Sequence, residues 1–321
     1  MIYSRLGNSG LQISRLSFGS WVTFHTQVNE SSAESLMSLA FEHGVNFFDN
    51  AEVYAGGKSE ELMGLTLKKM KWPRLKYLVS TKFFWGLNDG PNQRNTLNRK
   101  YLMESMEHSL KRLQLDHVDL VYAHRPDPQT PLEETVRAMN DLIVKGQALY
   151  WGTSEWSGAD IRSAYDIAKE NGWHKPVVEQ PQYNLFERRK VEVEYQKLYA
   201  DIGLGLTTWS PLASGVLTGK YLKNIPSGSR LDLGSMGWLK EQALTEDKMK
   251  QVRRLTEVAQ QLNTKPSQLA IAWCLKNPHV SSVILGASGK AQLQENLAAL
   301  DVLPLLTDSV HKELSEIFPL T

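Results

Sequence analysis

The sequence contains very little cysteine, because Cys274 is the only one in 321 residues. A single thiol excludes an intrachain disulfide framework, a zinc site built from several thiolates and a two-cysteine redox centre. Cys274 lies in the apolar run from Ile271 to Leu275, so we expect it to be an inert packing residue. The histidines other than His124 show no metal-ligand spacing, and the sequence predicts no metal site.

An excess of one charge is also missing, since 36 Lys and Arg residues against 35 Asp and Glu residues give a net charge of +1. A dedicated nucleic-acid-binding protein needs a large positive excess, so we expect no nucleic-acid partner. No run of about 18 apolar residues occurs, which predicts no membrane insertion. The segment from Met1 to Gly7 resembles neither a signal peptide nor a transit peptide. Together these absences predict a cytoplasmic location.

Short apolar runs alternate with amphipathic segments along the chain. Several amphipathic segments end in glycine, such as Gly44 and Gly203, which is typical of a helix terminus. The apolar runs that follow are too short for helices and are typical of buried strands. The predicted strands are near residues 16–18, 46–48, 77–81, 118–122, 148–151, 177–179, 205–209 and 282–285.

Eightfold alternation of strand and helix predicts an α/β fold, a closed (β/α)8 TIM barrel that occupies residues 1–321 as a single domain. Helices are expected over residues 105–113 and 131–145, with Pro131 at the first helical position. A barrel needs about 250 residues. The remainder is expected as an N-terminal β-hairpin in residues 1–15, a long connection over 214–245 and an extra C-terminal helix over 308–318.

The sequence lacks the complete motifs of two nucleotide-binding architectures. A two-domain Rossmann dehydrogenase expects G-x-G-x-x-G between its first strand and helix, and the sequence has none. The segment from Gly215 to Tyr221 resembles a P-loop, but it is one residue short and lacks Ser or Thr after Lys220. An NTPase is therefore not expected.

Polar residues close several of the predicted strands. Asp49, Lys82 and His124 follow three successive apolar runs, and Tyr54 comes five residues after Asp49. Because TIM-barrel enzymes act at the carboxyl ends of their strands, we expect these four side chains at one mouth.

These residue types suit the reduction of a carbonyl group, in which hydride addition leaves an alkoxide that must be protonated. Tyr54 is the expected proton donor, and Lys82 is expected to lower its pKa from about 10. Asp49 is expected to orient Lys82. His124 is expected to donate a hydrogen bond to the substrate oxygen.

The stretches around these residues resemble the signatures of the aldo-keto reductase superfamily. They read DNAEVY at 49–54, STK at 80–82, YAHRP at 122–126 and GTS at 152–154. Longer stretches are most similar to the branch that contains voltage-gated potassium channel β-subunits and their plant and bacterial relatives. These are PLEETVRAM at 131–139, YWGTS at 150–154, WSPLA at 209–213 and QLAIAWCL at 268–275.

The resemblance implies NADPH or NADP as the cofactor, bound without a Rossmann fold. It implies that Ser154 and Gln180 hold the nicotinamide carboxamide, that Trp209 stacks on the nicotinamide and that Arg230 contacts the 2′-phosphate. The implied cofactor-binding residues are Ser20, Trp21, Gln27, Asp49, Ser154, Gln180, Trp209, Ser210, Pro211, Leu212, Ala213, Ser214, Lys220, Arg230, Gly286, Ser288, Gln292, Glu295 and Asn296.

Aromatic residues in the loops above the barrel predict an apolar substrate mouth. The predicted pocket residues are Trp21, Phe24, Tyr54, Trp85, His124 and Trp238. Such a mouth favours aromatic or aliphatic aldehydes over charged sugars. Glu155, which stands where the channel branch has arginine, is left outside the predicted site, because an acid is unexpected near cofactor phosphates.

The sequence thus predicts an NADPH-dependent aldo-keto reductase with a small-molecule carbonyl substrate. His124 favours this function, since the channel subunits usually carry asparagine there. The alternative is a potassium-channel β-subunit-like module that binds NADP(H), senses redox state on an ion-channel partner and turns over little. A third interpretation is a reductase that also assembles as a homotetramer.

Overall fold

The computed structural model describes residues 1–21, 30–226, 229–232, 240 and 243–320. An antiparallel hairpin comes first, formed by β1 (Tyr3–Arg5) and β2 (Gln12–Ser14). Eight parallel strands follow. They are β3 (Leu16–Gly19), β4 (Phe47–Asp49), β5 (Leu78–Phe83), β6 (Val118–Ala123), β7 (Ala148–Thr153), β8 (Val178–Glu179), β9 (Gly205–Thr208) and β10 (Val280–Leu285).

The eight parallel strands form a closed ring, with each strand beside its neighbour in the chain. Closure depends on β10, which pairs with β9 on one side and with β3 on the other. Leu285 is in register with Phe18, and Val283 is in register with Thr208. The predicted (β/α)8 barrel and its N-terminal hairpin are confirmed.

Helices surround the barrel in the described part of the chain. They are α1 (Glu30–Glu42), α2 (Lys58–Met70), α3 (Arg99–Leu113), α4 (Leu132–Val144), α5 (Gly158–Glu170), α6 (Gln196–Ile202), α7 (Glu246–Gln261), α8 (Pro266–Lys276), α9 (Lys290–Leu297), α10 (Ala299–Val302) and α11 (Asp308–Ile317). None of these helices is long and apolar enough to cross a lipid bilayer.

The ends of the helices follow from local chemistry. Helix α3 begins earlier than the predicted 105–113, because the Asn98 side chain accepts a hydrogen bond from the Tyr101 amide and caps the helix. Pro131 precedes α4 as its cap residue and is not the first helical residue, since its ψ of 129° is extended. The predicted C-terminal helix is α11, which Thr307 caps through Val310 N.

Alternate residues of each strand face two different layers. Phe48 packs outward into the layer between the barrel and its helices, whereas Phe47 packs into the barrel interior with Leu120 and Tyr122. The hairpin adds Leu6 and Ile13 to the interior cluster. This inner filling makes the barrel a packed core and not a pore.

The hairpin closes the end of the barrel at which β8 and β9 begin. Asn8 N donates to Gly203 O at 2.8 Å. Gly7 has a φ of +53°, and a Cβ there would lie 2.5 Å from Gly203 O, so only glycine fits this approach. The opposite end, where the strands finish, is left for a functional site.

Candidate active site

The ends of β4, β5 and β6 bring Asp49, Lys82 and His124 to one side of the barrel mouth. Lys82 Nζ donates to Asp49 Oδ2 at 2.6 Å, to Asn50 O at 2.7 Å and to Tyr54 Oη at 3.3 Å. The ring centroids of Tyr54 and His124 are 6.0 Å apart. The structure therefore brings together the four residues that the strand ends indicated.

The local chain after β4 explains how Tyr54 turns back toward Lys82. Tyr54 begins a 3-10 turn that runs to Gly57, in which Ala55 and Gly56 have left-handed backbone angles. The Tyr54 phenol oxygen lies 3.3 Å from Lys82 Nζ, beside the end of β5. Helix α2 begins immediately afterwards, at Lys58.

Asp49 is buried and has hydrogen-bond donors at both carboxylate oxygens. Besides Lys82 on Oδ2, Ser80 Oγ donates to Oδ1 at 2.7 Å, and Gln180 Nε2 donates to Oδ1 at 3.1 Å. A buried carboxylate with this many donors is fixed in orientation. Gln180 also links this cluster to the far side of the barrel.

The electrostatics of Tyr54 differ from the expectation. Burial raises the pKa of Tyr54 well above its usual value, the charge of Asp49 raises that pKa further, and Arg125 opposes the rise. The predicted acidification by Lys82 is therefore not the net effect, because burial and Asp49 outweigh the nearby positive charge. The phenol is protonated at neutral pH, which is the form that donates a proton.

Lys82 has an exposed fraction of 0 % and sits in an ion pair with Asp49. Burial lowers the pKa of Lys82, while the charge of Asp49 and its hydrogen bond oppose that change. An ammonium group this deep needs its carboxylate partner, since an isolated buried charge is costly.

His124 is a buried, neutral imidazole. Burial lowers the pKa of His124 well below its usual value, and the charges of Lys82 and Arg125 lower it further. Its Nδ1 is buried, and no residue that the structure describes forms a hydrogen bond with it. A neutral ring carries one N–H, so His124 is able to donate a single hydrogen bond to an uncharged oxygen.

Two tryptophans stand beside these reactive groups. The ring centroid of Trp21 is 6.5 Å from that of Tyr54 and 6.0 Å from that of Trp209. The ring centroid of Trp85 is 6.4 Å from that of His124. Of the other predicted pocket residues, Phe24 and Trp238 lie outside the described residues, as does the predicted cofactor contact Gln27.

An open cleft of about 1070 Å³ extends from Asp49 and Tyr54 across the ends of β9 and β10. Most of the implied cofactor-binding residues form its wall: Trp21, Asp49, Gln180, Trp209, Ser210, Pro211, Leu212, Ser214, Lys220, Gly286, Ser288, Gln292 and Asn296. The wall residues that the sequence did not indicate are Gly19, Gly215, Thr218, Ser229, Ile284, Leu285 and Ala287. Those in the strands carry no signal that separates them from ordinary core residues.

Several other implied residues make contacts of their own. Ser20 Oγ donates to Asp49 O at 3.1 Å, and Ser154 Oγ donates to Gln180 O at 2.9 Å. Glu295 accepts hydrogen bonds from Ser267 and Lys265, both at 2.6 Å. Ala213 begins the 3-10 turn Ala213–Thr218, and Arg230 is described only as the first residue of the turn Arg230–Asp232.

The loop after β9 has an unusual backbone. Ser210, Ala213 and Ser214 have φ values of 57°, 45° and 58°, in the left-handed region that these residues rarely adopt. Asn184 Nδ2 donates to Ser210 O at 3.0 Å and holds the start of the loop. Strain of this kind persists only where surrounding contacts impose it, and it clusters at ligand-binding sites.

The cleft fits a dinucleotide with phosphate groups. The Nδ2 atom of Asn296, a wall residue, is buried and has no hydrogen-bond partner among the described residues, so it is a donor available to a ligand. Lys220 supplies a cation suited to phosphate, and the Trp209 indole supplies a flat apolar surface. These three features lie along one continuous wall.

Glu155 belongs to the surroundings of this cleft, although the sequence analysis left it out. Its Oε1 accepts a hydrogen bond from Trp209 Nε1 at 3.0 Å, and Lys190 Nζ donates to its Oε2 at 2.8 Å. Lys190 neutralises the acid, which removes the objection to a negative charge near phosphates. The contact pairs residues 54 positions apart, and no local sequence signal indicates it.

A closed parallel barrel with this cluster at its mouth defines an aldo/keto reductase, and the chain belongs to that family. The model of the Aldo/keto reductase family matches residues 15–318. This membership supports an oxidoreductase, and the family generally binds NADP(H).

Similar proteins come from plants. The chain is 52% identical over 318 residues to a probable voltage-gated potassium channel subunit beta from Arabidopsis thaliana, with 99% of this chain and 96% of that protein covered. It is 53% identical over 311 residues to a protein of the same description from Oryza sativa subsp. japonica, with 97% and 94% covered. The resemblance to the channel β-subunit branch is confirmed.

Proposed function

We propose that this protein is an NADPH-dependent carbonyl reductase that converts aldehydes or ketones to alcohols. The observation that carries the proposal is the position of Lys82 Nζ, which contacts Asp49 Oδ2 at 2.6 Å and Tyr54 Oη at 3.3 Å. This arrangement places a proton donor and its stabilising cation beside a cleft that fits a dinucleotide.

NADPH bound in the cleft supplies the hydride. His124 donates a hydrogen bond to the carbonyl oxygen and draws electron density away from its carbon. Tyr54 gives its proton to the oxygen as negative charge develops there. The Lys82 ammonium stabilises the phenolate that remains, and Asp49 keeps that ammonium charged and in place.

The chain's own residues divide the work of holding the cofactor. Gln180 and Ser154 are proposed for the nicotinamide carboxamide, with Trp209 on the ring face. Lys220 and the Ser210–Ser214 loop are proposed for the pyrophosphate. Arg230 is proposed for the 2′-phosphate, and Asn296 Nδ2 is the free donor proposed for the adenosine end. We further propose that residues 1–321 act as one domain in the cytoplasm.

A second candidate function follows from the relatives, since both are described as probable voltage-gated potassium channel subunits beta. In that case the chain binds NADP(H) on a channel, senses redox state there and turns over little. We also propose, separately, that the reductase assembles as a homotetramer. Sedimentation velocity tests this, because a tetramer sediments faster than a monomer.

A steady-state assay with NADPH and a simple aromatic aldehyde separates the two candidates. Repeated oxidation of NADPH over many turnovers supports the reductase. Tight cofactor binding with at most one slow turnover overturns the reductase and supports the channel-associated module. A parallel assay with NADH measures how much the proposed 2′-phosphate contact contributes.

A further inference from the structure

Arg125 follows His124 at the end of β6 and is partly buried. Its Nη1 donates to His124 O and to Ser154 Oγ, the latter at 3.3 Å. Its guanidinium carbon lies 5.8 Å from the centre of the Trp85 ring. Arg125 is therefore packed against the proposed reaction centre, although it has no part in the proposed chemistry.

Three other arginines that are buried or partly buried are neutralised by acids, whereas Arg15, like Arg125, pairs with no acid in the described part of the chain. Arg74 pairs with Asp119 at 2.6 Å, Arg112 pairs with Glu60 at 2.7 Å, and Arg188 pairs with Glu192 at 2.8 Å. Arg125 forms no ion pair with any residue that the structure describes. Within that part of the chain only its Nη1 has hydrogen-bond partners, which leaves Nη2 and Nε, two donors on one edge of the guanidinium.

The charge of Arg125 acts on the residues that would surround a substrate carbonyl. It lowers the pKa of both Tyr54 and His124. The ring centroids of Trp85 and His124 are 6.4 Å apart, and those of Tyr54 and His124 are 6.0 Å apart. An uncompensated cation and an apolar indole thus lie together next to the proton donor.

We propose that Arg125 binds an anionic group of the substrate, so that the enzyme prefers carbonyl compounds that carry a carboxylate or a phosphate on an apolar body. A guanidinium edge suits such oxygens, because it offers two parallel donors together with charge. Trp85 supplies the apolar wall. The inference rests on the proposed function. It adds that the preferred substrate carries a negative charge besides an apolar body.

The test compares matched substrates with the NADPH-loaded enzyme. The 2-, 3- and 4-formylbenzoates are each compared with their methyl esters, and 4-formylphenyl phosphate is compared with 4-methoxybenzaldehyde. We expect kcat/KM for at least one anion to exceed that of its neutral partner by about tenfold. Added salt lowers that ratio, because it screens the contact. The preferred pair distinguishes a carboxylate from a phosphate.

The variants Arg125→Met and Arg125→Lys show whether this residue causes the preference. Arg125→Met is expected to lower the anion-to-neutral ratio about tenfold and leave the neutral substrate within about threefold, whereas Arg125→Lys keeps part of the ratio. Arg137→Met is the matched control, because Arg137 is exposed on α4 and its loss changes the net charge equally. The control is expected to retain the full ratio.

Two results overturn the inference. One is a wild-type enzyme that prefers no anion over its neutral partner. The other is an Arg125→Met enzyme that loses the same factor on both substrates, because a purely structural role through His124 O and Ser154 produces that pattern. In either case, continued turnover of neutral aldehydes still supports the proposed reductase function.

Failure of the proposed function gives another result in the NADPH oxidation assay, because no carbonyl compound, charged or neutral, is then reduced over repeated turnovers. Binding to the NADP-loaded protein still tests the anion site. Titration calorimetry is expected to show about tenfold tighter binding of a formylbenzoate than of its ester, with the difference lost in Arg125→Met. Equal affinities for the three acids, the phosphate and their neutral partners overturn the inference.

Discussion

The two halves of the barrel mouth differ in how many of their polar side chains have hydrogen-bond or ion-pair partners. In the catalytic half, which β4 to β6 form, Asp49 accepts hydrogen bonds at both oxygens and Lys82 is fully paired. In the cofactor half, which β7 to β10 form, Asn296 Nδ2 is buried and meets no hydrogen-bond partner within the ranges that the structure describes. Lys220 pairs with no acid in the described part of the chain. The Asp49–Lys82 pair of the first half is thus pre-organised. Polar atoms without a described partner remain at His124 and Arg125 in that half and at Asn296 in the second half, where a ligand is able to meet them.

The largest expected effect comes from breaking the pair that organises the catalytic half. Lys82→Met leaves Asp49 buried without its cation, so we expect the free energy of unfolding to fall by about 3–5 kcal/mol. Chemical denaturation measures this change. Lys69→Met is the control, because Lys69 pairs with Glu34 at the surface and its loss costs under about 1 kcal/mol. Equal losses in the two variants would show that the buried pair has no special weight.

Tyr54→Phe removes the proposed proton donor and leaves the buried ion pair intact. We expect turnover to fall by a factor of about 10² or more, the usual contribution of a general acid. Cofactor affinity is expected to stay unchanged, because the phenol belongs to the catalytic half. Single-turnover kinetics and a cofactor titration measure the two quantities. Near-normal turnover in this variant removes Tyr54 from its proposed role.

Arg230→Ala tests the cofactor half at its proposed 2′-phosphate contact. We expect NADPH to bind about tenfold more weakly, since a charge-assisted hydrogen bond is lost. NADH has no 2′-phosphate, so its affinity is expected to change little. Fluorescence titration with each nucleotide measures both effects. Equal losses for the two nucleotides would contradict a contact between Arg230 and the phosphate.

The buried carboxyl groups of the two halves also differ, because Asp49 has a cation and Glu179 forms no ion pair in the described part of the chain. Burial raises the pKa of Glu179 to about 8 from 4.5. The folded state then binds the proton more tightly, so this group's stabilisation is complete below pH 4.5 and is lost as the pH rises to about 8.

Glu179→Gln is therefore expected to flatten the dependence of stability on pH between 5 and 8. The change in slope is about 1.4 kcal/mol per pH unit, the value for one proton. Denaturation at several pH values measures it, and Glu170→Gln is an exposed control. Parallel curves for wild type and Glu179→Gln would show that Glu179 is charged throughout this range.

The smallest effect is expected at the contact that positions the Trp209 indole. Glu155→Gln replaces a charged acceptor with a neutral one, which weakens the hydrogen bond from Trp209 Nε1. We expect the cofactor dissociation constant to rise about threefold to fivefold while kcat stays unchanged. Tryptophan fluorescence quenching by NADPH measures the constant. A drop in kcat at constant affinity would place Glu155 in the catalytic half instead.

Strand positions were largely predictable, because short apolar runs between helices are typical of a parallel barrel. The ends of the strands were less predictable, and β5 shows why. Lys82 appeared to follow the strand, whereas the structure extends β5 to Phe83. A lysine belongs inside a strand here only because Asp49, 33 residues earlier, neutralises it. The sequence does not display that pairing before the fold is known.

The candidate site divides in the same way. Asp49, Lys82 and His124 were predictable because each closes an apolar run and parallel strands end at one edge. The rise in the pKa of Tyr54 was not predictable, since it depends on burial. The position of Glu155 beside the cleft was not predictable either, because its partner Lys190 lies in a separate turn, 35 residues later.

The ring of strands has a consequence for the chain as the ribosome makes it. β3 and β9 are joined only through β10, which ends at residue 285 of 321. Until that segment emerges, the nascent polypeptide carries two strands whose outer backbone groups lack partners, a shape that invites pairing with another chain. Release of the chain before Val280, whether premature or at a new stop codon, is therefore expected to leave both strand edges open and to lower solubility.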